Sequence, residues 1–73
     1  MEVRFSKHAI DQLKVRSTIT KTMVLEVLKK PDDVSSSYRD RELYSRRYGK
    51  EVLEVVVTKE DNKLVVITQY FLE

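Results

Sequence analysis

The chain has 73 residues, which is short even for one domain, and we expect a single domain over residues 1–73. It contains no cysteine and a single histidine, His8, which excludes disulfides and thiolate metal sites and leaves too few ligands for the usual zinc sites. The 14 Lys and Arg residues barely exceed the 12 Asp and Glu residues, so net charge alone gives weak support for nucleic-acid binding.

A short strand and a helix are predicted first. Val3 and Phe5 alternate with charged residues, as in a strand with one apolar face. Ser6 is suited to cap a helix, because its hydroxyl can accept a hydrogen bond from a free amide of the first turn. The helix is predicted to run to about Ser17. Its apolar arc consists of Ala9, Ile10 and Leu13.

A second helix is predicted between Thr20 and Pro31. Thr20 is again a capping residue, and Pro31 ends the helix because it lacks an amide hydrogen and disfavours helical conformation in the residue before it. Lys29 and Lys30 suit the negative end of the helix dipole. The apolar stripe consists of Met23, Val24, Val27 and Leu28.

After Pro31 the pattern changes to that of strands. The only glycine, Gly49, precedes Lys50 between two strand-like runs, which predicts a two-residue hairpin turn. A polar turn is predicted at residues 60–63. The predicted strands are residues 34–38 as an irregular edge strand, 43–48, 51–58 and 64–71.

This order of elements predicts an α+β fold. We expect two N-terminal helices packed on one face of a three- to four-stranded antiparallel meander sheet, with a short N-terminal strand as an addition. The other sheet face would be partly open to a ligand. Strict alternation along the last strand would place two sets of side chains on opposite faces. These sets are Leu64, Val66, Thr68 and Tyr70 on one face, and Val65, Ile67, Gln69 and Phe71 on the other.

His8 is the first candidate for catalysis. It lies in the first turn of the first helix, where the positive end of the helix dipole favours the neutral imidazole that a general base needs. Arg16 lies about two turns further along, within the span of a nucleotide, and is suited to hold a phosphate. The alternatives are an ordinary half-exposed histidine and an arginine whose aliphatic stem covers the end of the apolar arc.

A basic segment, residues 39–50, is the candidate contact for a phosphate backbone. Within it, Tyr44, Arg46 and Tyr48 would share one strand face and form an aromatic and cationic ladder for bases and phosphate. Arg47 would point to the opposite face, since neighbours in a strand alternate. A solvated charged surface with structural tyrosines is the alternative.

Thr68 and Tyr70 place two hydroxyl groups on one face of the last strand. Facing a cleft, they would orient a phosphate or donate a proton, whereas inside a core each would need a hydrogen-bond partner. A single glycine excludes a glycine-rich phosphate loop, and the carboxylates show no metal-binding spacing. Any hydrolysis is therefore expected to use neither a metal nor another cofactor.

Short motifs are spread along nearly the whole chain. They are Phe5 and His8-Ala9 at the first helix, Arg16 with Ile19-Thr20 at the helix junction, Pro31-Asp32 at the helix stop, and residues 65–70 in the last strand. Together they resemble a family of short bacterial and archaeal domains of unknown function, although Arg16 stands one residue further from Ile19 than the family pattern has it. Such domains are similar in size and element order to the BrnT and RelE toxins, which share a fold with metal-independent ribonucleases.

The resemblance implies a toxin-like ribonuclease whose site includes His8, Arg16, Thr68 and Tyr70. The ribose 2′-hydroxyl would attack the adjacent phosphorus and leave a cyclic phosphate and a free 5′-hydroxyl. His8 would be a base or acid and Tyr70 a second proton carrier, with Thr68 orienting the phosphate. Arg16 and one of Arg46 or Arg47 would stabilise the transition state.

Two other functions fit the same sequence: a non-catalytic module that binds RNA or a protein through residues 39–50, and a dimeric structural or regulatory protein. The ribonuclease hypothesis implies RNA as substrate and a small antitoxin-like protein as partner. A homodimer is a further expected partner, because so small a core stabilises weakly. No apolar run reaches the ~20 residues of a membrane span and the start lacks a secretion signal, so we expect a cytoplasmic location without membrane contact.

Overall fold

The computed structural model describes residues 2–15 and 18–72, so that Arg16, a predicted site residue, lies outside the described residues. The two predicted helices and the α+β class are confirmed. Neither helix has the length and apolar composition that crossing a lipid bilayer requires. The elements are β1 (Glu2–Phe5), α1 (Lys7–Val15), α2 (Lys21–Lys29), β2 (Asp33–Ser36), β3 (Arg41–Tyr48), β4 (Glu51–Glu60) and β5 (Lys63–Leu72).

The strands form one five-stranded sheet in the order β1-β5-β4-β3-β2. β1 runs parallel to β5, and the other neighbouring strands are antiparallel. The predicted three- to four-stranded antiparallel meander is therefore wrong, because the sheet is mixed and has five strands. Val3 pairs with Leu64 and Phe5 with Val66, so β1 extends the apolar face beyond β5. This pairing joins the two ends of the chain, and local periodicity does not encode it.

Both predicted helix caps are confirmed. The Ala9 amide donates to Ser6 Oγ at 3.1 Å, and the Met23 amide donates to Thr20 Oγ1 at 3.1 Å. The predicted hairpin between β3 and β4 is also confirmed, with Gly49 at a φ of 64°. Glycine adopts this left-handed conformation without the steric cost that other residues meet.

Both helices pack against the same face of the sheet, which we call the helix face, and we call the other the open face. Ala9 of α1 and Val24 and Val27 of α2 are fully buried against inward-pointing side chains of β4 and β5. Because paired residues of neighbouring strands point the same way, the register assigns the remaining side chains to a face. The core consists of Ala9, Ile19, Val24, Val27, Leu53, Val55, Val57, Leu64 and Val66.

A β-bulge at Ile67 changes the facing of the last strand. Val57 pairs with Val66 and Val56 with Thr68, which leaves Ile67 without a partner on β4. The predicted strict alternation is therefore wrong beyond Val66, since a bulge adds one residue to one strand and shifts all later side chains to the other face. Gln69 and Phe71 lie on the helix face with Leu64 and Val66, whereas Thr68 and Tyr70 lie on the open face with Val65.

Ser6 connects the start of α1 to this bulge. Its hydroxyl donates to the Ile67 carbonyl at 3.0 Å as well as capping the helix, and its amide donates to the Val66 carbonyl at 2.9 Å. We expect Ser6→Ala to lower the free energy of unfolding by about 2 kcal/mol, since both hydroxyl bonds are lost. Thr20→Ala, the matched control, loses only a cap and should cost about 1 kcal/mol. Urea unfolding measures both, and an equal or larger loss at Thr20 would contradict the second role of Ser6.

Candidate active site

Five polar side chains lie together in the middle of the open face, and we call them the open-face cluster. Tyr70 of β5 is paired with Glu54 of β4, which is paired with Ser45 of β3. Thr68 precedes Tyr70 by two residues on the same strand, and Arg47 follows Ser45 by two, so all five point the same way. Two predicted catalytic residues and one predicted phosphate-binding residue are thus brought together.

Tyr70 and Glu54 are directly joined, the Tyr70 hydroxyl donating a hydrogen bond to Glu54 Oε2. This bond to the carboxylate, together with partial burial and the negative charge of Glu54, raises the pKa of Tyr70 to about 12. The phenol is therefore protonated at neutral pH. Both side chains are half-buried, so a ligand on the open face can still reach them.

Arg47 supplies the positive charge of the open-face cluster. It is diagonal to Glu54 across the β3–β4 pair, a placement at which Cα atoms are about 7–8 Å apart. Its backbone amide donates to Asp32 Oδ2 at 2.8 Å, which fixes the strand at this point. The Arg47 side chain is exposed. Within residues 2–15 and 18–72 the ion pair that forms joins Lys59 to Glu42 and does not involve Arg47. Arg47 can therefore bind an incoming anion.

Tyr44, Arg46 and Tyr48 lie on the helix face, away from the open-face cluster. Arg46 Nη1 donates to the Lys30 carbonyl at 2.9 Å, and its guanidinium carbon lies 5.8 Å from the centre of the Tyr48 ring. The Tyr48 hydroxyl donates to Glu26 Oε1 at 2.8 Å. Burial, and then this bond, raise the pKa of Tyr48. Tyr44, Arg46 and Tyr48 therefore share one strand face as predicted, but this face is the helix face and not the open face.

His8 is also separated from the open-face cluster. It lies in the first turn of α1, in the helix layer, and its side chain is exposed. Thr68 and Tyr70 face away from that layer. The predicted convergence of His8 with these hydroxyls on one hollow is not what the structure has, and Arg16 lies outside the described residues.

Glu54, the acceptor of the Tyr70 hydroxyl, is not among the site residues predicted from the sequence. A signal for it exists: Glu54 is the one charged residue in the run from Val52 to Val57, whose other members are all apolar. Choosing it required the register that pairs it with Tyr70. Over the described ranges, no three His, Asp or Glu side chains are grouped so that they could hold a metal ion.

Residues 5–71 match a family described as a domain of unknown function, DUF4258. The match covers both helices, β2, β3 and β4, nearly all of β5 and the last residue of β1, and it includes all the residues of the open-face cluster. No curated protein matches the chain. No solved structure matches it either.

Proposed function

We propose that this chain, which belongs to the DUF4258 family of domains of unknown function, binds RNA on the open face of its sheet and cleaves it there without a metal. The observation that carries the proposal is the hydrogen-bonded pair of Tyr70 and Glu54 with Arg47 diagonal to it. A proton acceptor, a proton donor and an anion-binding cation are the three parts that cleavage by a 2′-hydroxyl needs.

Proton transfer is assigned to the joined pair. Glu54 takes the proton of the ribose 2′-hydroxyl through the carboxylate oxygen that Tyr70 does not occupy. The 2′-oxygen attacks phosphorus and the bond to the 5′-oxygen breaks, while Tyr70 gives its proton to that leaving oxygen. The products are a 2′,3′-cyclic phosphate and a 5′-hydroxyl. The proton taken by Glu54 returns to Tyr70 after the carboxyl group rotates and brings the protonated oxygen to the Tyr70 hydroxyl, which restores the starting pair.

The other members of the open-face cluster bind the phosphate. The Arg47 guanidinium can hold two non-bridging oxygens at once, and charge accumulates on these oxygens in the transition state. Thr68 lies two residues before Tyr70 on the same face of β5, and its hydroxyl can donate a further hydrogen bond to the phosphate. The resemblance to the BrnT and RelE toxins supports the same reaction class, and with it a small antitoxin-like partner.

In this proposal His8 has no part in proton transfer, although the sequence motifs assign it one. A His8→Ala variant with unchanged cleavage would agree with the open-face site. A large loss would return His8 to the mechanism.

Cleavage of a single-stranded RNA by the purified chain, in the presence of a metal chelator, tests the function. We expect products with cyclic phosphate ends, and no cleavage of a 2′-O-methyl strand of the same sequence, because the attacking hydroxyl is blocked there. A Glu54→Gln/Tyr70→Phe double variant purified in the same way controls for contaminating nucleases. Binding of both strands without cleavage of either would reject catalysis and leave an RNA-binding module.

A further inference from the structure

We propose that a second phosphate of the same RNA strand binds in a pocket on the helix side of β3, so that the substrate is a single strand of several nucleotides. This inference rests on the proposed function, because it takes the open-face cluster as the first contact. The pocket has a volume of about 250 Å³ and lies at the end of α2. It is lined by Glu26, Lys29, Lys30 and Arg46, and we call it the α2-end pocket.

The pocket has an excess of positive charge. Three of its four lining side chains are cationic, and the fourth, Glu26, uses Oε1 to accept the Tyr48 hydroxyl at 2.8 Å. The ion pair found over residues 2–15 and 18–72 lies elsewhere, between Lys59 and Glu42, so the cations of the pocket are not neutralised within the described chain. A phosphate is the ligand whose charge and size match such a group.

Arg46 is held in place for this role. Its Nη1 donates to the Lys30 carbonyl at 2.9 Å and its guanidinium carbon lies 5.8 Å from the centre of the Tyr48 ring, which leaves other guanidinium N–H groups to donate to an anion. The bond also covers one carbonyl at the negative end of the α2 dipole, and the three cations of the pocket must outweigh the remaining repulsion of a phosphate by that end. Lys29 and Lys30 are exposed and add positive charge to the pocket.

The two sites are joined by consecutive residues. Arg47 points to the open face and Arg46 to the helix face, so the two positive side chains lie at neighbouring positions of β3 on opposite faces of the sheet. β2 begins at Asp33, opposite Ser45, and therefore does not cover the stretch of β3 from Arg46 onward. The segment between α2 and β2 lies along this margin, where the Lys30 carbonyl accepts from Arg46 and the Asp32 carboxylate accepts from the Arg47 amide, so an RNA strand would pass outside this segment.

Passing from one face to the other requires a minimum length of strand. A sheet with its side chains is about 10 Å thick. This thickness exceeds the distance between neighbouring phosphates of a strand that bends around the sheet edge. The site should therefore take several nucleotides, within the range of about 4–16 that small single-strand-binding domains occupy. A strand too short to reach the pocket would engage only the open-face cluster.

The experiment compares 2′-O-methyl oligonucleotides of about 3 and about 12 nucleotides, which bind without reacting; the first is shorter than the site size of such domains and the second lies within its range. We expect the long strand to bind more tightly. For it, the Lys29→Gln/Lys30→Gln variant should lower the slope of log affinity against log salt by about 0.7 per lysine. The short strand should show no change. The control is Lys7→Gln/Lys14→Gln, which removes the same charge from exposed positions on α1.

The outcomes separate this inference from the proposed reaction. If the wild-type chain binds the long strand, loses affinity in the α2 variant and cleaves no RNA, the pocket is supported and the catalytic proposal fails. If RNA is cleaved but the α2 variant binds the long strand like the control variant, the pocket is overturned as an RNA site. Absence of RNA binding at both lengths overturns both, and an acidic protein partner would then be the ligand class to seek.

Discussion

Tyr70→Phe should lower kcat for RNA cleavage by about 10²–10⁴-fold, the usual contribution of a positioned proton donor. The substitution removes one oxygen atom and with it the proton that Tyr70 gives to the leaving oxygen. KM should change little, because Arg47 and Thr68 remain to bind the phosphate. Single-turnover cleavage with saturating protein measures the chemical step.

Glu54→Gln should produce a loss of similar size, since the amide retains a hydrogen-bond acceptor for Tyr70 but cannot take a proton. The two groups act on one reaction event, so the double variant should be little worse than the more damaged single variant. Multiplicative losses would indicate that they act independently. The matched control is Tyr44→Phe, which removes the same atom from a tyrosine on the helix face and should leave cleavage unchanged.

A readout without RNA tests whether Tyr70 and Glu54 are hydrogen-bonded in solution. The hydrogen bond to Glu54 is the largest cause that raises the pKa of Tyr70 from 10.0 to about 12. Tyrosinate absorbance should therefore show a group titrating near pH 12 that is missing in Tyr70→Phe and shifted down in Glu54→Gln. Because the folded-state pKa is raised, the bond stabilises the fold fully below pH 10 and this contribution is lost as pH rises toward 12. Wild-type activity retained in Tyr70→Phe would remove the donor from the mechanism.

The parts of the fold that the sequence predicted are those with a local physical cause. A hydroxyl at Ser6 and another at Thr20 meet free amides of the next turn, and Pro31 cannot continue a helix. Gly49 marks a hairpin because it has a backbone conformation that other residues avoid. The parallel pairing of β1 with β5 has no such mark, since each strand has the same alternation whichever neighbour it takes.

The residues of the candidate site also separate into those with a local signal in the sequence and those whose place depends on strand pairing. Thr68 and Tyr70 were found as two hydroxyls on one strand face, and the opposite facing of Arg46 and Arg47 follows from alternation alone. Which face each side chain joins depends on Ile67, where one unpaired residue reverses the pattern. Nothing in the composition of that segment distinguishes a bulge from a regular strand. Glu54 was missed for the related reason that its importance comes from the register with Tyr70.

Leu53→Ala should have the largest effect on stability. Leu53 is fully buried near the start of β4, and large-to-small substitutions of such leucines cost about 2–5 kcal/mol because the cavity only partly collapses. A domain of this size has only a few kcal/mol of stability, and each kcal/mol shifts Tm by about 4–8 °C. We therefore expect Tm to fall by about 10 °C or more, or the variant to be largely unfolded at room temperature.

The matched control is Leu72→Ala, which removes the same atoms from a side chain that is 43% exposed on the open face and should cost less than about 1 kcal/mol. Leu53 shares the helix face with its cross-strand partners Arg46 and Phe71, so a cavity there also loosens the support of Arg46. In a chain that remains folded, Leu53→Ala should weaken binding of the long oligonucleotide more than that of the short one. Similar Tm losses for the two leucine variants, measured by circular dichroism, would contradict a core centred on the helix face.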